Sequence, residues 1–244
     1  MVLGGGFGGV RTALDLDALL SDEYTVTLID KRSYHLPQWM LYEIAAVHLD
    51  DIKRLDYEEV REVVAVPFSD IFKNTRVKHV QGVIENVFLH EKTVALDVGL
   101  IKFEYAVMAL GSETNYFGIE GLSEKSFGLK DLNEALNLRN ALEELFRSKR
   151  KGERANIVIG GGGFTGVELA GELSCLLKNL EKKYRIPRGR VRMSIVEASA
   201  CILPGAKKWL EKKVFRRLAR LGVEVVTESP IDSYKDGQVF LKGG

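Results

Sequence analysis

Two stretches of this chain place glycines where a phosphate-bearing ligand would need them. Near the start, Val2-Leu3 runs into Gly4, Gly6 and Gly9, with Gly5, Phe7 and Gly8 between them. Farther on, Asn156-Ile157-Val158-Ile159 leads to Gly161, Gly163 and Gly166, with Phe164 and Thr165 inside the second interval. Both read G-x-G-x-x-G after an aliphatic run and before a helical pattern. In such a loop the first glycine allows a tight turn, the second lets the backbone approach a pyrophosphate, and the third lets helix and strand pack closely. The phosphates then lie over a helix N-terminus, where unpaired N–H groups favour negative charge. Each unit next reaches a second aliphatic strand that ends in an acid: Thr25–Asp30, followed by Lys31, and Met193–Glu197. A carboxylate there can accept hydrogen bonds from ribose hydroxyls. One glycine loop is a weak signal. Two complete strand–loop–helix–strand–acid units in one chain point to two dinucleotide sites.

The elements that must carry these residues follow from periodicity and turn signals. Between the two units, short alternating runs at Val77–Val80, Val83-Ile84, Thr93–Leu96 and Tyr105–Gly111 read as a β-meander, with Gly82, Asn86, His90–Lys92 and Gly99 as its turns. The last run returns Ala109 and Gly111 towards the first crevice. Asn115–Lys130 is irregular and glycine-punctuated, and suits an interdomain connection. Asp131–Arg150 is expected as a helix with Leu132, Ala135, Leu136, Leu138, Leu142 and Leu145 as its apolar stripe. The expected fold class is α/β: two Rossmann-like units with parallel sheets, the first spanning residues 1–117 and the second 118–244.

Composition agrees with a globular chain. The 244 residues are 45% hydrophobic, 28% charged and 9% aromatic, which argues against disorder, collagen or coiled coil. No apolar run approaches the roughly 20 residues of a membrane span. The net charge of +1 hides a split: residues 1–120 hold 11 Lys/Arg against 19 Asp/Glu, and residues 121–244 hold 24 against 15. The basic half could attract anionic cofactors or lipid, or simply form solvated helix faces. The basic amphipathic run Lys207–Leu218 carries the same two readings, a lipid-facing helix or a helix packed before the strand Val223–Val226. The two cysteines, Cys175 and Cys201, lack ligand spacing, and the four histidines are unpaired, so no metal site is expected. Cys175 is expected as buried packing beside Leu169, Leu173 and Leu176.

Two dinucleotide units joined by a meander that ends Val107-Met108-Ala109-Leu110-Gly111-Ser112 resemble the pyridine nucleotide-disulphide oxidoreductases. Within that family, Phe164–Leu173 (FTGVELAGEL) and Tyr34–Ala45 (YHLPQWMLYEIA) look most like type II NADH dehydrogenases. The resemblance implies FAD in the first unit, held by Gly4, Gly6, Phe7, Gly8, Gly9, Asp30, Lys31, Val83, Ala109 and Gly111. It implies NADH in the second, held by Gly161, Gly163, Phe164, Thr165, Gly166 and Glu197. It further implies a hydride passing from NADH to FAD and electrons passing on to an acceptor, a membrane quinone being the expected one. Glu168 is either the residue that orients flavin and nicotinamide or a helix N-terminal acid. His35 either approaches the flavin or is a satisfied loop histidine.

The cysteines narrow the family: residues 31–60 hold none, against a disulfide reductase, and none lies between Gly111 and Gly163, against a sulfide:quinone oxidoreductase. A soluble ferredoxin-reductase-like enzyme, a sulfide:quinone oxidoreductase relative and a non-catalytic nucleotide-binding remnant remain as alternatives. The chain departs from the family pattern in its short opening strand, in Tyr105-Ala106 and Leu110 of the returning strand, in Trp39 where a proline is usual, and in having no Gly-Asp pair after Gly166. It is therefore expected to be truncated at both ends. Membrane contact and a homodimer are expected through a C-terminal part, with a cytoplasmic location on the inner face of the membrane and no nucleic-acid partner.

Overall fold

The computed structural model describes residues 1–49, 54–148 and 154–243. In chain order the elements begin β1 (Val2–Leu3), α1 (Phe7–Leu19), β2 (Thr27–Asp30), β3 (Tyr34–His35), α2 (Met40–Ala45), α3 (Tyr57–Val64), β4 (Val66–Pro67) and α4 (Phe68–Ile71). Next come β5 (Lys78–Gln81), β6 (Ile84–Phe88), β7 (Thr93–Leu96), β8 (Gly99–Lys102), β9 (Val107–Met108), α5 (Leu122–Lys125) and α6 (Leu132–Ser148). The remainder is β10 (Ala155–Gly160), α7 (Phe164–Lys183), β11 (Val191–Val196), α8 (Lys208–Leu221), β12 (Val223–Val226), β13 (Ile231–Lys235) and β14 (Gln238–Leu241). Contacts divide these into two compact units, residues 1–38 with 58–113 and residues 39–57 with 114–244.

The first unit is built on a four-stranded parallel sheet in the order β5-β2-β1-β9. Alternation along β1 and β2 sends Val2 and Leu28 to one face and Leu3 and Ile29 to the other. Val2 and Leu28 pack with Ala13 of α1 and with Phe68 and Phe72 on and just after α4. Leu3 and Ile29 pack with Val94 and Leu96 of a separate antiparallel sheet, β6-β7-β8. This corrects two expectations. Val77–Val80 contributes a parallel strand beside β2 rather than the first strand of the meander, and Gly99 opens the strand β8 rather than only marking a turn. The reason is long-range: β7 offers an unpaired edge that Gly99–Lys102 fills, and Lys78–Gln81 extends the sheet beyond β2.

In the second unit β10, β11 and β12 form a parallel sheet, and β13 and β14 a hairpin. Helix α7 buries Leu169, Leu173, Leu176 and Leu180 along one stripe. Cys175 is exposed. It lies two residues, or about 200°, past Leu173 on a helix of 3.6 residues per turn, and so points away from the stripe. Helix α6 is also phased differently from expectation. It buries Leu132, Ala135, Leu136, Arg139, Leu142 and Phe146, while Leu138 and Leu145 are half-buried. Arg139 is only 2% exposed and is held by Glu143 Oε2 at 2.8 Å and by the Val47 carbonyl. Glu143 Oε1 takes Lys183 Nζ at 2.9 Å and the Tyr184 hydroxyl at 2.6 Å. Lys183 also donates to the Leu49 carbonyl at 3.2 Å. These bonds fasten the segment after α2 to α6 and α7. Helix α8 packs on β12 and α7 through Leu218, with its lysines and arginines outside.

Candidate functional site

Each glycine loop lies where a parallel strand ends and a helix begins, the place where an open α/β sheet takes its ligands. In the first unit Gly4 leaves β1 with φ +103°, and its N–H reaches the Ile29 carbonyl at 2.8 Å. In the second, Gly161 leaves β10 with φ +106°, and its N–H reaches the Val196 carbonyl at 2.8 Å. A positive φ of this size favours glycine, because a side chain would meet its own backbone. The third glycine of each loop packs on the first. A Cβ at Gly9 would stand 1.7 Å from the Gly4 oxygen, and one at Gly166 would stand 2.1 Å from the Gly161 oxygen. These two positions are closed by the fold itself.

The second glycine of each motif differs. Gly6 caps α1 with φ −73° and ψ −171°, and Gly163 caps α7 with φ −71° and ψ −178°. A Cβ at either would meet nothing within 4 Å. The fold leaves that space free, as it does the space beside Gly8, and it lies at the N-termini of α1 and α7. Phe7 and Phe164, 46% and 59% exposed, open the two helices. A dinucleotide pyrophosphate fits such a cradle: room beside the second glycine, donors behind it, and the positive end of a helix dipole.

The acids stand at the neighbouring strand ends. Asp30 Oδ2 accepts from the Gly5 N–H at 2.6 Å, and Oδ1 accepts from the Arg32 N–H at 2.8 Å. Glu197 Oε2 accepts from the Gly162 N–H at 2.6 Å, while Oε1 accepts from the Ser199 N–H and hydroxyl, each at 2.7 Å. Burial would raise the pKa of Glu197. The hydrogen bonds from Ser199, Gly162 and Ala198 outweigh it and hold the carboxyl below the usual glutamate value. Each carboxylate thus anchors its own loop; Asp30, with two of its about four lone-pair sites used, keeps capacity for a ribose, whereas Glu197 would exchange a present donor such as the Ser199 hydroxyl for one.

The other candidates divide by position. Ala109 follows β9, its N–H bonded to the Leu3 carbonyl at 2.8 Å and its own carbonyl closing over Gly4. Gly111, two residues on, is exposed. Val83 follows β5, is 47% exposed and donates its N–H to Asp97 Oδ1 at 2.8 Å. Exposed Lys31 follows Asp30, its carbonyl taking the Gln81 amide at 3.2 Å. All four therefore belong to the carboxyl-end edge of the first sheet. Thr165 is exposed in the first turn of α7. Glu168 is exposed one turn later, while the first turn holds no acid. Helix-dipole stabilisation fades within that turn, which weakens the structural reading of Glu168. Its neighbour is Tyr42 of α2, which packs on α7; burial, then Glu168, Glu43 and Glu172, raise the Tyr42 pKa.

Residues outside the motif complete both sites. Gly5 and Gly162 are closed to a side chain by Phe68 at 2.2 Å and Ile202 at 2.7 Å. His35 is buried, with Nδ1 3.0 Å from the Gly5 oxygen and its ring edge-on to Phe7. Its ring is thus satisfied within the protein, from the short strand β3. A triple glycine in each loop was the available signal for Gly5 and Gly162; His35 was singled out only through the resemblance of Tyr34–Ala45, and nothing local marked Ser199.

The pyridine nucleotide-disulphide oxidoreductase family model matches residues 1–244. The type II NADH:quinone oxidoreductase of Staphylococcus haemolyticus is 32% identical over 237 residues, covering 95% of this chain and 56% of the relative. The Staphylococcus aureus enzyme of the same description matches over the same shares. The chain therefore spans little more than half the length of these curated relatives. Among solved structures, NDH2 from Plasmodium falciparum in complex with NADH superposes with a TM-score of 0.79 at 20% identity, over 98% of this chain and 50% of that one. The sulfide:quinone oxidoreductase of Aquifex aeolicus gives 0.78 at 21% identity, over 98% and 53%. This chain belongs to the pyridine nucleotide-disulphide oxidoreductase family.

Proposed function

We propose that the protein is an FAD-dependent NADH dehydrogenase that passes electrons to a quinone. The observation that carries the reading is the pair of matched loops, each with an open second glycine and a carboxylate tied to its middle glycine. The first loop is assigned FAD, with Gly6, Phe7, Gly8 and the α1 N-terminus at the pyrophosphate and Asp30 at the ribose. The remaining first-unit candidates, Lys31, Val83, Ala109 and Gly111, border the same crevice. The second loop is assigned NADH, with Gly163, Phe164 and Thr165 at the pyrophosphate and Glu197 at the adenosine ribose. FAD, when bound, supplies the acceptor for the hydride and the route for electrons onward. The chain's own part is to bind both nucleotides, and Glu168 with Tyr42 is assigned the orientation of the nicotinamide.

The quinone comes from the curated relatives, both described as NADH:quinone oxidoreductases. Quinones dissolve in lipid, so the working protein meets a membrane surface, and we place it peripherally on the cytoplasmic side. No helix among the described residues is long and apolar enough to cross a membrane.

The test is anaerobic. Protein purified with added FAD should retain the visible flavin band, NADH should bleach it, and a short-chain quinone should restore it. Gly6→Val should prevent FAD retention while leaving NADH binding intact. A protein that takes no FAD, or a flavin band that NADH leaves untouched, would refute the proposal.

A further inference from the structure

The two glycine loops are held by the same pair of constraints, made from different atoms. In each, a carboxylate takes the middle glycine's N–H at 2.6 Å, Asp30 for Gly5 and Glu197 for Gly162. In each, that glycine's carbonyl is held as well. Gly162 O accepts from the main-chain N–H of Leu203 at 2.7 Å, whereas Gly5 O accepts from the imidazole Nδ1 of His35 at 3.0 Å. A carbonyl can only accept, so the bond requires the His35 proton on Nδ1. The peptide joining Gly5 to Gly6 is planar and trans, so fixing the Gly5 oxygen aims the Gly6 N–H the opposite way. Gly6 is exposed, caps α1, and has open space where a side chain would stand.

We infer that His35 is a positioning residue for the first nucleotide: by holding the Gly5 carbonyl it aims the Gly6 N–H out of the loop at the phosphate. The surroundings keep the ring in place. His35 is 8% exposed, lies opposite Val66 in the short ladder of β3 and β4, and meets the Phe7 ring edge-on at 4.9 Å. The second loop needs no such side chain, because the Leu203 main chain fills the role. The loops are therefore unequal: one side-chain substitution can release the first, whereas at position 203 only proline, which lacks the N–H, would remove the equivalent bond from the second. The inference rests on the reading of the first loop as the FAD site.

Three proteins test it: the parent, His35→Leu and His35→Asn. The asparagine Nδ2 can stand where Nδ1 stood and donate the same bond; leucine cannot. His35→Leu should weaken FAD binding roughly tenfold or more, the equivalent of one lost hydrogen bond. His35→Asn should recover most of that loss, and NADH affinity should stay unchanged in both. Parent-like FAD binding in the leucine variant would overturn the inference. So would an asparagine variant as weak as leucine while both melt with the parent. A flavin-free measurement separates this from the function itself. In apo-protein labelled with ¹⁵N-histidine, at a pH where the ring is neutral, the His35 proton should sit on Nδ1, and a proton on Nε2 would overturn the assignment. If the parent takes no FAD, the proposed function fails and the nitrogen spectrum alone decides His35.

Discussion

Gly6 and Gly9 are three residues apart in one loop, yet alanine should do opposite things to them. At Gly6 the backbone angles suit any residue and a Cβ touches nothing within 4 Å. An N-cap alanine costs about 1 kcal/mol at most relative to glycine. A stiffer unfolded chain returns about 0.4–1 kcal/mol. The net is near zero, so the melting temperature should move by no more than about 2–4 °C for a chain of this size. The methyl nevertheless occupies the space a pyrophosphate needs. Losing two hydrogen bonds to a charged group, at about 1.5–3 kcal/mol each, costs at least about 3 kcal/mol. That is more than roughly a hundredfold in Kd. At Gly9 the added carbon stands 1.7 Å from the Gly4 oxygen, a main-chain atom that cannot rotate away. Overpacking of this kind costs about 1–3 kcal/mol, and melting should fall clearly before any ligand is added. Calorimetry with and without FAD reads both effects. Gly6→Ala with parent-like FAD affinity would show that no phosphate approaches this loop. Gly9→Ala with parent-like melting would show that Gly4 and Gly9 do not pack as described.

The second site should prefer NADH to NADPH. Glu197 is held ionised at the place proposed for the adenosine ribose, and Ala198, Ser199 and Ala200 offer no cation to a 2′-phosphate. Two unit charges about 4 Å apart repel by about 4 kcal/mol at an effective dielectric of 20, and a third of that is about tenfold in affinity; equal Kd values in paired titrations would remove Glu197 from the site. Tyr184, pushed up to about 12 by burial and by its bond to Glu143, holds its proton more tightly in the folded chain than at its ordinary 10.0. Its stabilisation is whole below pH 10 and is lost as pH climbs towards 12. Denaturation curves of Tyr184→Phe should lack that alkaline slope, and an identical slope would refute the bond. Cys175 should react rapidly with a thiol reagent in the native protein and Cys201 more slowly, as their exposed and half-buried settings require; Cys201 labelling first would contradict the phase of α7.

The parts of this fold that could be read directly were those whose cause is local. A glycine forced by a tight turn, an aliphatic strand ending in an acid, and the Leu169–Leu180 repeat each declare themselves within a few residues. What stayed hidden depended on distant partners. Arg139 looks like a solvated residue until the Val47 carbonyl, 92 positions earlier, is brought against it. His35 was evenly balanced between two roles because its partner, Gly5, lies 30 residues away and offers only a carbonyl. Gly99 looked like a turn because the edge of β7 that recruits Gly99–Lys102 is a property of the assembled sheet, not of the run itself.

The clustering of residues 39–57 with 114–244 bears on how this architecture can be recombined. The polypeptide passes from one unit to the other three times, after Gln38, after Tyr57 and after Glu113. A crossover at the obvious joint near residue 114 would therefore exchange a nucleotide module without the α2 segment that belongs to it. The second unit would keep Arg139 and Lys183 but meet a foreign stretch in place of Val47 and Leu49, whose carbonyls those cations hold. A buried guanidinium robbed of one partner is costly. Successful chimaeras should be those that move α2 and its following loop together with the second unit, so the heritable block here is discontinuous in the gene although compact in space.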